Sequence, residues 1–156
     1  MGVSRIFAVV LVVGLFSAMV PAQEKRIRRS DLPAQVEKTV AAQSQGANTT
    51  IRSFSEEKEN GQTHYEVELV VDGHSKGIEM DGDGAVIEVE EQVAMDAVPV
   101  VLEEGLRKNL GTGRLLRVES IRKHDKIVAY EAQITTHGKK SEVQVDPSGK
   151  PLDHKE

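Results

Sequence analysis

The chain has 156 residues, 38% apolar and 29% charged, which suffices for one compact domain or two small ones and excludes a large multidomain enzyme or a polytopic membrane protein. With 20 basic against 25 acidic residues and a net charge of −5, it lacks the electrostatic drive for phosphate backbones, so no nucleic-acid partner is expected. The absence of Cys removes disulfides, thiolate catalysis, thiolate-bound metals and a lipidated N-terminal Cys.

The N-terminus has the three parts of a secretory signal peptide: Met1 to Arg5 with one cation, the apolar run Ile6 to Phe16, and a closing Val20-Pro21-Ala22 with small or modest residues at the cleavage positions. The apolar run falls well short of the roughly 20 residues that span a bilayer. Residues 1–22 are therefore expected to be cleaved after Ala22, leaving no membrane span. What remains is 134 residues with 19 basic and 25 acidic side chains and three aromatics, Phe54, Tyr65 and Tyr130. Three aromatics cannot make a stacking platform for bases or sugars. Export without Cys fits a bacterial periplasmic or secreted protein. Residues 23–30, with Lys25, Arg26, Arg28 and Arg29, are read as a basic, solvated tail.

Self-similarity organises the rest. Tyr65-Glu66 matches Tyr130-Glu131, and at the same offset of 65 Gly73 falls on Gly138, Ile78 on Val143, Met80 on Val145, Asp81 on Asp146 and Gly84 on Gly149. Upstream, Leu32-Pro33 falls on Val98-Pro99, Val36 on Leu102 and Val40 on Leu106, one residue further apart. The chain is accordingly divided into repeat 1 at 31–90, a connection at 91–96, repeat 2 at 96–152 and a tail at 153–156.

Each repeat reads as one helix followed by an antiparallel meander. Leu32, Val36 and Val40, and likewise Val98, Leu102, Leu106 and Leu110, recur every fourth residue and share a helical face. Pro33 and Pro99 fit the first turn, with Ser30 or Asp31 and Asp96 as expected N-caps and Gly46 and Gly111 as stops. Beyond the helices the period becomes two: Tyr65, Val67, Leu69 and Val71 on one side in repeat 1, and Val128, Tyr130, Ala132, Ile134, Val143 and Val145 on one side in repeat 2. Asn60-Gly61, Asp72-Gly73, Asp81-Gly82-Asp83-Gly84, His137-Gly138 and Asp146-Pro147-Ser148-Gly149 supply the turns. Pro151 limits the last strand.

The expected fold class is α+β, with the helices packed on one face of a continuous or closely abutting sheet. The other face should then be wet. It carries His64, Glu66, Glu68, Glu79, Glu88, Glu131, Gln133, Glu142 and Gln144. Of these His64, Glu66, Glu68, Glu79, Glu131, Gln133 and Glu142 are the candidate partner-binding residues, because an acidic, solvent-facing surface on a rigid scaffold is suited to recognition.

No catalytic set accompanies them. The five His residues lack the spacing that aims two at one ion. The Asp81 loop has Gln92 where a calcium loop needs a closing Glu, there is no Gly-x-Ser-x-Gly elbow, and Gly111-Thr112-Gly113 lacks the Lys of a phosphate loop. No cofactor, metal or catalytic residue is assigned, and an enzyme is not expected.

The Leu-Pro helix start, the Tyr-Glu strand, the Asp-Gly hairpin and the Asp-x-x-Gly turn, in tandem behind a signal peptide, resemble the PepSY-like family of beta-lactamase-inhibitor-like proteins. The residues carrying the resemblance are Leu32-Pro33, Tyr65-Glu66-Val67, Asp81-Gly82-Asp83-Gly84, Val98-Pro99, Val118-Glu119-Ser120, Tyr130-Glu131-Ala132 and Asp146-Pro147-Ser148-Gly149. It implies a fold like that of beta-lactamase inhibitory protein and an exported, non-catalytic role in protein or peptide binding or inhibition. The alternative is a periplasmic sensor or scavenger of cations or small ligands using the same carboxylates.

Overall fold

The computed structural model describes residues 24–59, 61–152 and 156; the expected signal peptide, Gln23, and 153–155 of the expected tail lie outside the described residues. Eight strands form one antiparallel sheet in which every strand pairs with its neighbours in sequence. They are β1 (Lys25–Ile27), β2 (Thr49–Glu59), β3 (Gln62–Val71), β4 (His74–Met80), β5 (Val86–Val93), β6 (Arg114–Lys123), β7 (Lys126–Thr136) and β8 (Lys139–Val145). Helix α1 (Ala34–Gln43) lies between β1 and β2, and α2 (Val100–Asn109) between β5 and β6. Within the segment expected as a basic tail, Lys25–Ile27 pair with Phe54–Glu56 and form an edge strand.

Two apolar clusters hold the helices to the sheet. In one, Val36 and Val40 of α1 pack on Val67, Leu69, Ile78 and Met80. In the other, Leu102 and Leu106 of α2 and the preceding Val98 pack on Val118, Ala132, Ile134 and Val145. Each fully buried Leu or Ile contributes on the order of 2 kcal/mol. On β5, Val89 joins the first cluster and Val93 the second, and residues four apart on one regular strand share a face. Both helices therefore cover the same side of the sheet. Ordered pairing of β5 with β6 makes the sheet continuous across the 91–96 connection.

The helices begin later than their apolar spacing implies. Leu32 and Val98 are extended, with ψ of 141° and 124°, because the proline ring that follows each pushes the preceding residue out of helical space. Pro33 and Pro99 thus occupy the N-cap positions, and Asp31 and Asp96, expected as caps, lie instead in single 3-10 turns at Arg29–Asp31 and Met95–Ala97. Asp31 accepts hydrogen bonds from the Arg28 backbone N–H at 3.2 Å and from its guanidinium.

Turn chemistry follows the expectations at Asp72-Gly73 and His137-Gly138, where both residues of each two-residue loop have positive φ. An unforeseen loop of the same kind joins β6 to β7 through His124 (φ 49°) and Asp125 (φ 61°), neither of them glycine. The Asp81 and Asp146 loops match bond for bond. Asp81 Oδ1 accepts the N–H groups of Asp83 and Ala85 at 2.9 Å each, and Asp146 Oδ1 those of Ser148 at 2.8 Å and Lys150 at 3.0 Å. Both loops dock against a helix. A Cβ on Gly84, which has φ 78°, would stand 2.5 Å from the Gln35 carbonyl oxygen of α1, and one on Gly149 2.6 Å from that of Val101 in α2. Gly105 is in the middle of α2, where glycine weakens a helix, because the Gly149 backbone leaves no room for a side chain there.

This close approach predicts that Gly84→Ala lowers stability by about 2 kcal/mol or more, through both backbone strain and collision with α1. Gly82→Ala in the same loop, where a Cβ meets nothing within 4 Å, should change it by less than about 0.5 kcal/mol. Urea unfolding of the two variants side by side checks this.

Candidate functional site

Strand alternation sends to the uncovered face the side chains that the cores leave out, and the register lines them up in rows across the sheet. In the first row Ser55, Glu66, Glu79, Glu88 and Lys123 stand directly opposite one another in turn from β2 to β6. The second row runs Glu68, Gly77, Glu90, Ile121 and Ala129 from β3 to β7. In the third, Gln92, Glu119, Glu131 and Gln144 follow from β5 to β8. Like charges thus face each other directly at Glu66–Glu79, Glu79–Glu88 and Glu119–Glu131, an arrangement that ordinarily destabilises a sheet.

All seven sequence-predicted binding residues lie on this face. Glu66, Glu68, Glu79 and Glu131 belong to the rows; His64 packs beside them, its Nδ1 2.7 Å from Glu79 Oε1. Gln133 and Glu142 are paired with each other toward the β8 edge. Sequence reasoning missed Glu90, Glu119, Ser55, Arg117 and Lys123. Period two would have found Glu90 from Glu88, whereas Glu119 was visible only once β6 had been paired with β7.

The expectation of a simply solvated face is corrected. Glu119 is 3% exposed, Ser55 4% and Glu131 6%, and Ile121 and Ala129 in the second row are fully buried without joining either core. The face encloses a hollow of about 1040 Å³, whose walls include Glu66, Glu79, Glu88, Glu90 and Glu131. Carboxyls crowded into such a hollow lose water to one another.

Polar partners satisfy part of the cluster. The Ser55 hydroxyl donates to Glu66 Oε2 at 3.1 Å, and the amides of Gln144 and Gln133 donate to Glu131 Oε2 at 3.0 Å and Glu119 Oε2 at 3.4 Å. Arg117 brings Nε within 3.1 Å of Glu119 Oε2, and its Nη1 donates to the Ser75 hydroxyl at 3.2 Å. That Nε is buried and the contact lacks hydrogen-bond geometry, so the pair is held by charge rather than by an aligned bond. Lys123 Nζ stands 3.3 Å from Glu88 Oε2.

These surroundings shift the acids upward. Burial, reinforced by the neighbouring Glu68 carboxyl, pushes Glu66 up to about 7. Burial and the fields of Glu131, Glu88 and Glu119 push Glu90 up to about 8. Burial also raises Glu79 against the opposing effect of His64, and raises Glu119 against that of Arg117. Among the described residues no three His, Asp or Glu side chains converge to hold a metal ion.

A carboxyl that holds its proton more tightly when folded stabilises the protein while protonated and ceases to do so as pH rises through its folded value. Stability should therefore be fully present at about pH 4, decline as pH rises above the ordinary carboxylate value of 4.5, and level off once it has passed about 7 and about 8. Glu90→Gln, neutral throughout, should be as stable as wild type at about pH 4 and more stable by on the order of 2 kcal/mol at about pH 9. Thermal melts of both proteins across this range test the sign.

No protein-family model matches the chain, and no curated protein matches it. Solved structures do. A "putative periplasmic" protein of Bacteroides eggerthii superposes with a TM-score of 0.59 at 13% identity, over 78% of this chain and 86% of that one. A DUF2874 family protein of Bacteroides uniformis gives 0.57 at 14% identity, over 77% and 86%. A BLIP-like protein of Bacteroides fragilis gives 0.53 at 16% identity, over 79% and 85%. At these identities the likeness is one of fold, and it is a BLIP-like fold that this chain adopts.

Proposed function

We propose that this protein is an exported, non-catalytic binding module, periplasmic or secreted, that takes a basic segment of a protein or peptide into its carboxylate-lined hollow. The observation that carries this reading is the registry of the glutamate rows: five strands, β3 to β7, aim like charges at one concavity, against the stability of the sheet. A cationic partner would relieve that repulsion, and complementary potential would speed its encounter. The signal-peptide layout of 1–22 and the fold shared with a "putative periplasmic" protein support export. Among the described residues no helix is long and apolar enough to cross a membrane. The fold shared with a BLIP-like protein supports a binding role.

We also read the chain as two copies of one helix-plus-meander unit. Supporting this, Tyr65 pairs with Met80 and Tyr130 with Val145 in the same register, and the two Asp loops dock on the two helices in matching fashion. The alternative function, a sensor or scavenger of cations or small ligands, is the weaker reading because the carboxylates lie in rows rather than converging on one point.

Decalysine serves as a probe of the hollow. Calorimetry should show binding that weakens steeply with salt, and Glu68→Lys combined with Glu142→Lys should reduce affinity at least about tenfold with little change in melting temperature. Glu104→Lys, on exposed helix surface, should leave it unaltered. Failure of wild type to bind, or equal loss in the helix variant, would reject the hollow as the contact face.

A further inference from the structure

Glu66 and Glu68 leave β3 two residues apart, on long side chains that could splay into the hollow. Instead Glu66 leans over Gly77, the residue directly opposite Glu68 on β4. A Cβ at Gly77 would stand 3.1 Å from Glu66 Oε1 and 3.8 Å from Glu68 Oε1, and 3.7 Å from Cβ of Glu90, the residue directly across on β5. The carboxyls of Glu66 and Glu68 thus converge on one spot, and the Glu68 carboxyl favours a proton on Glu66. Two ionised carboxylates at such range repel, and neither can donate; a pair that holds one proton between them is drawn together.

The surroundings offer little to neutralise full ionisation here. Glu24 precedes β1; β2 turns Ser55 and Glu57 to this side, β3 also His64, β4 Glu79 and β5 also Glu88. From β6 come Arg117, Glu119 and Lys123, from β7 Glu131 and from β8 Glu142. Arg117 is engaged with Glu119, and Lys123 with Glu88 and Glu156. His64 is engaged with Glu79. The carboxyls of Glu66 and Glu68 at Gly77, and that of the neighbouring Glu90, thus face mainly other acids in a partly closed hollow.

We propose that Glu66 and Glu90, with Glu68 crowded against Glu66, form a proton store on the concave face, which holds protons in the free protein and gives them up as a cation-bearing segment enters. The filling depends only on burial and on the acids crowded into the hollow; the emptying rests on the reading that this face takes a basic partner. Protons and a basic segment then compete for the same oxygens, so the face binds more tightly as pH rises from about 6 to about 8.5.

The store is read directly by following the side-chain carboxyl carbons of the intact protein by NMR from about pH 4 to about pH 9.5. Glu66 and Glu90 should titrate near 7 and near 8, and Glu68→Gln, which removes the sharing partner, should lower the Glu66 midpoint. Midpoints in the ordinary carboxylate range for both residues, or a Glu66 midpoint indifferent to Glu68→Gln, would overturn the store whatever any ligand does. The exchange is read by titrating decalysine at about pH 7 in two buffers of different ionisation enthalpy. Proton release on binding, abolished in the combined Glu66→Gln, Glu68→Gln, Glu90→Gln variant, is the expected result. Binding without proton release overturns the exchange alone. Raised midpoints with no decalysine binding would uphold the store and sink the basic-partner reading together with the exchange.

Discussion

The pairing of β5 with β6 is the constraint on which the rest of the molecule depends. Through Val89 strand β5 belongs to the core under α1, and through Val93 to the core under α2. The two apolar clusters therefore fix its register from both ends, and a slip of one residue would turn both valines out and carry Glu88 and Glu90 beneath the helices. Because β5 cannot slip, the glutamates of β3 and β4 line up with those of β6 and β7. Two small cores, each too modest to build a large protein, thereby hold five strands of charged side chains in one frame.

That frame works against the stability of the sheet it belongs to. Cross-strand pairs of like charge cost free energy, and burial raises the cost of ionising them. The cores offset this, each burying six or seven apolar residues against a ten-residue helix. Gly77 contributes by omission, since a Cβ there would stand 3.1 Å from Glu66 Oε1 and make that carboxyl give way. Such local conflict with the rules of a stable sheet, within an otherwise consistent fold, is the usual mark of a surface shaped by something other than folding.

Much of this architecture was legible in the sequence, and the rest was not for identifiable reasons. The helices showed in the spacing of Val36 and Val40 and of Leu102 and Leu106, and the turns showed in Asp72-Gly73 and His137-Gly138, because these signals are local. Which strand sides face the helices followed from period two alone. Helix starts were read too early because apolar spacing continues through Leu32 and Val98, while the prolines after them hold those residues extended. The His124-Asp125 turn carried no glycine to announce it. Burial of Glu119 and Glu131 was hidden for a deeper reason: alternation tells which side a residue faces, but only the closing of the sheet around its hollow tells how much water that side keeps.

Closing the hollow changes what an acidic face can do. On a flat, wet sheet such carboxylates would simply be ionised, and a cation would meet fixed charges screened within about 8 Å at physiological ionic strength. In the hollow Glu66 and Glu90 are divided between protons and cations, because desolvation makes holding a proton nearly as favourable as holding a charge near neutral pH. The protonated face is the more stable fold and, on the proposed reading, would be the poorer ligand for a base; the ionised face would be the reverse. A basic segment entering the hollow would supply from outside the positive charge that the sequence leaves out, so that what weakens the free protein at alkaline pH is what strengthens its grip.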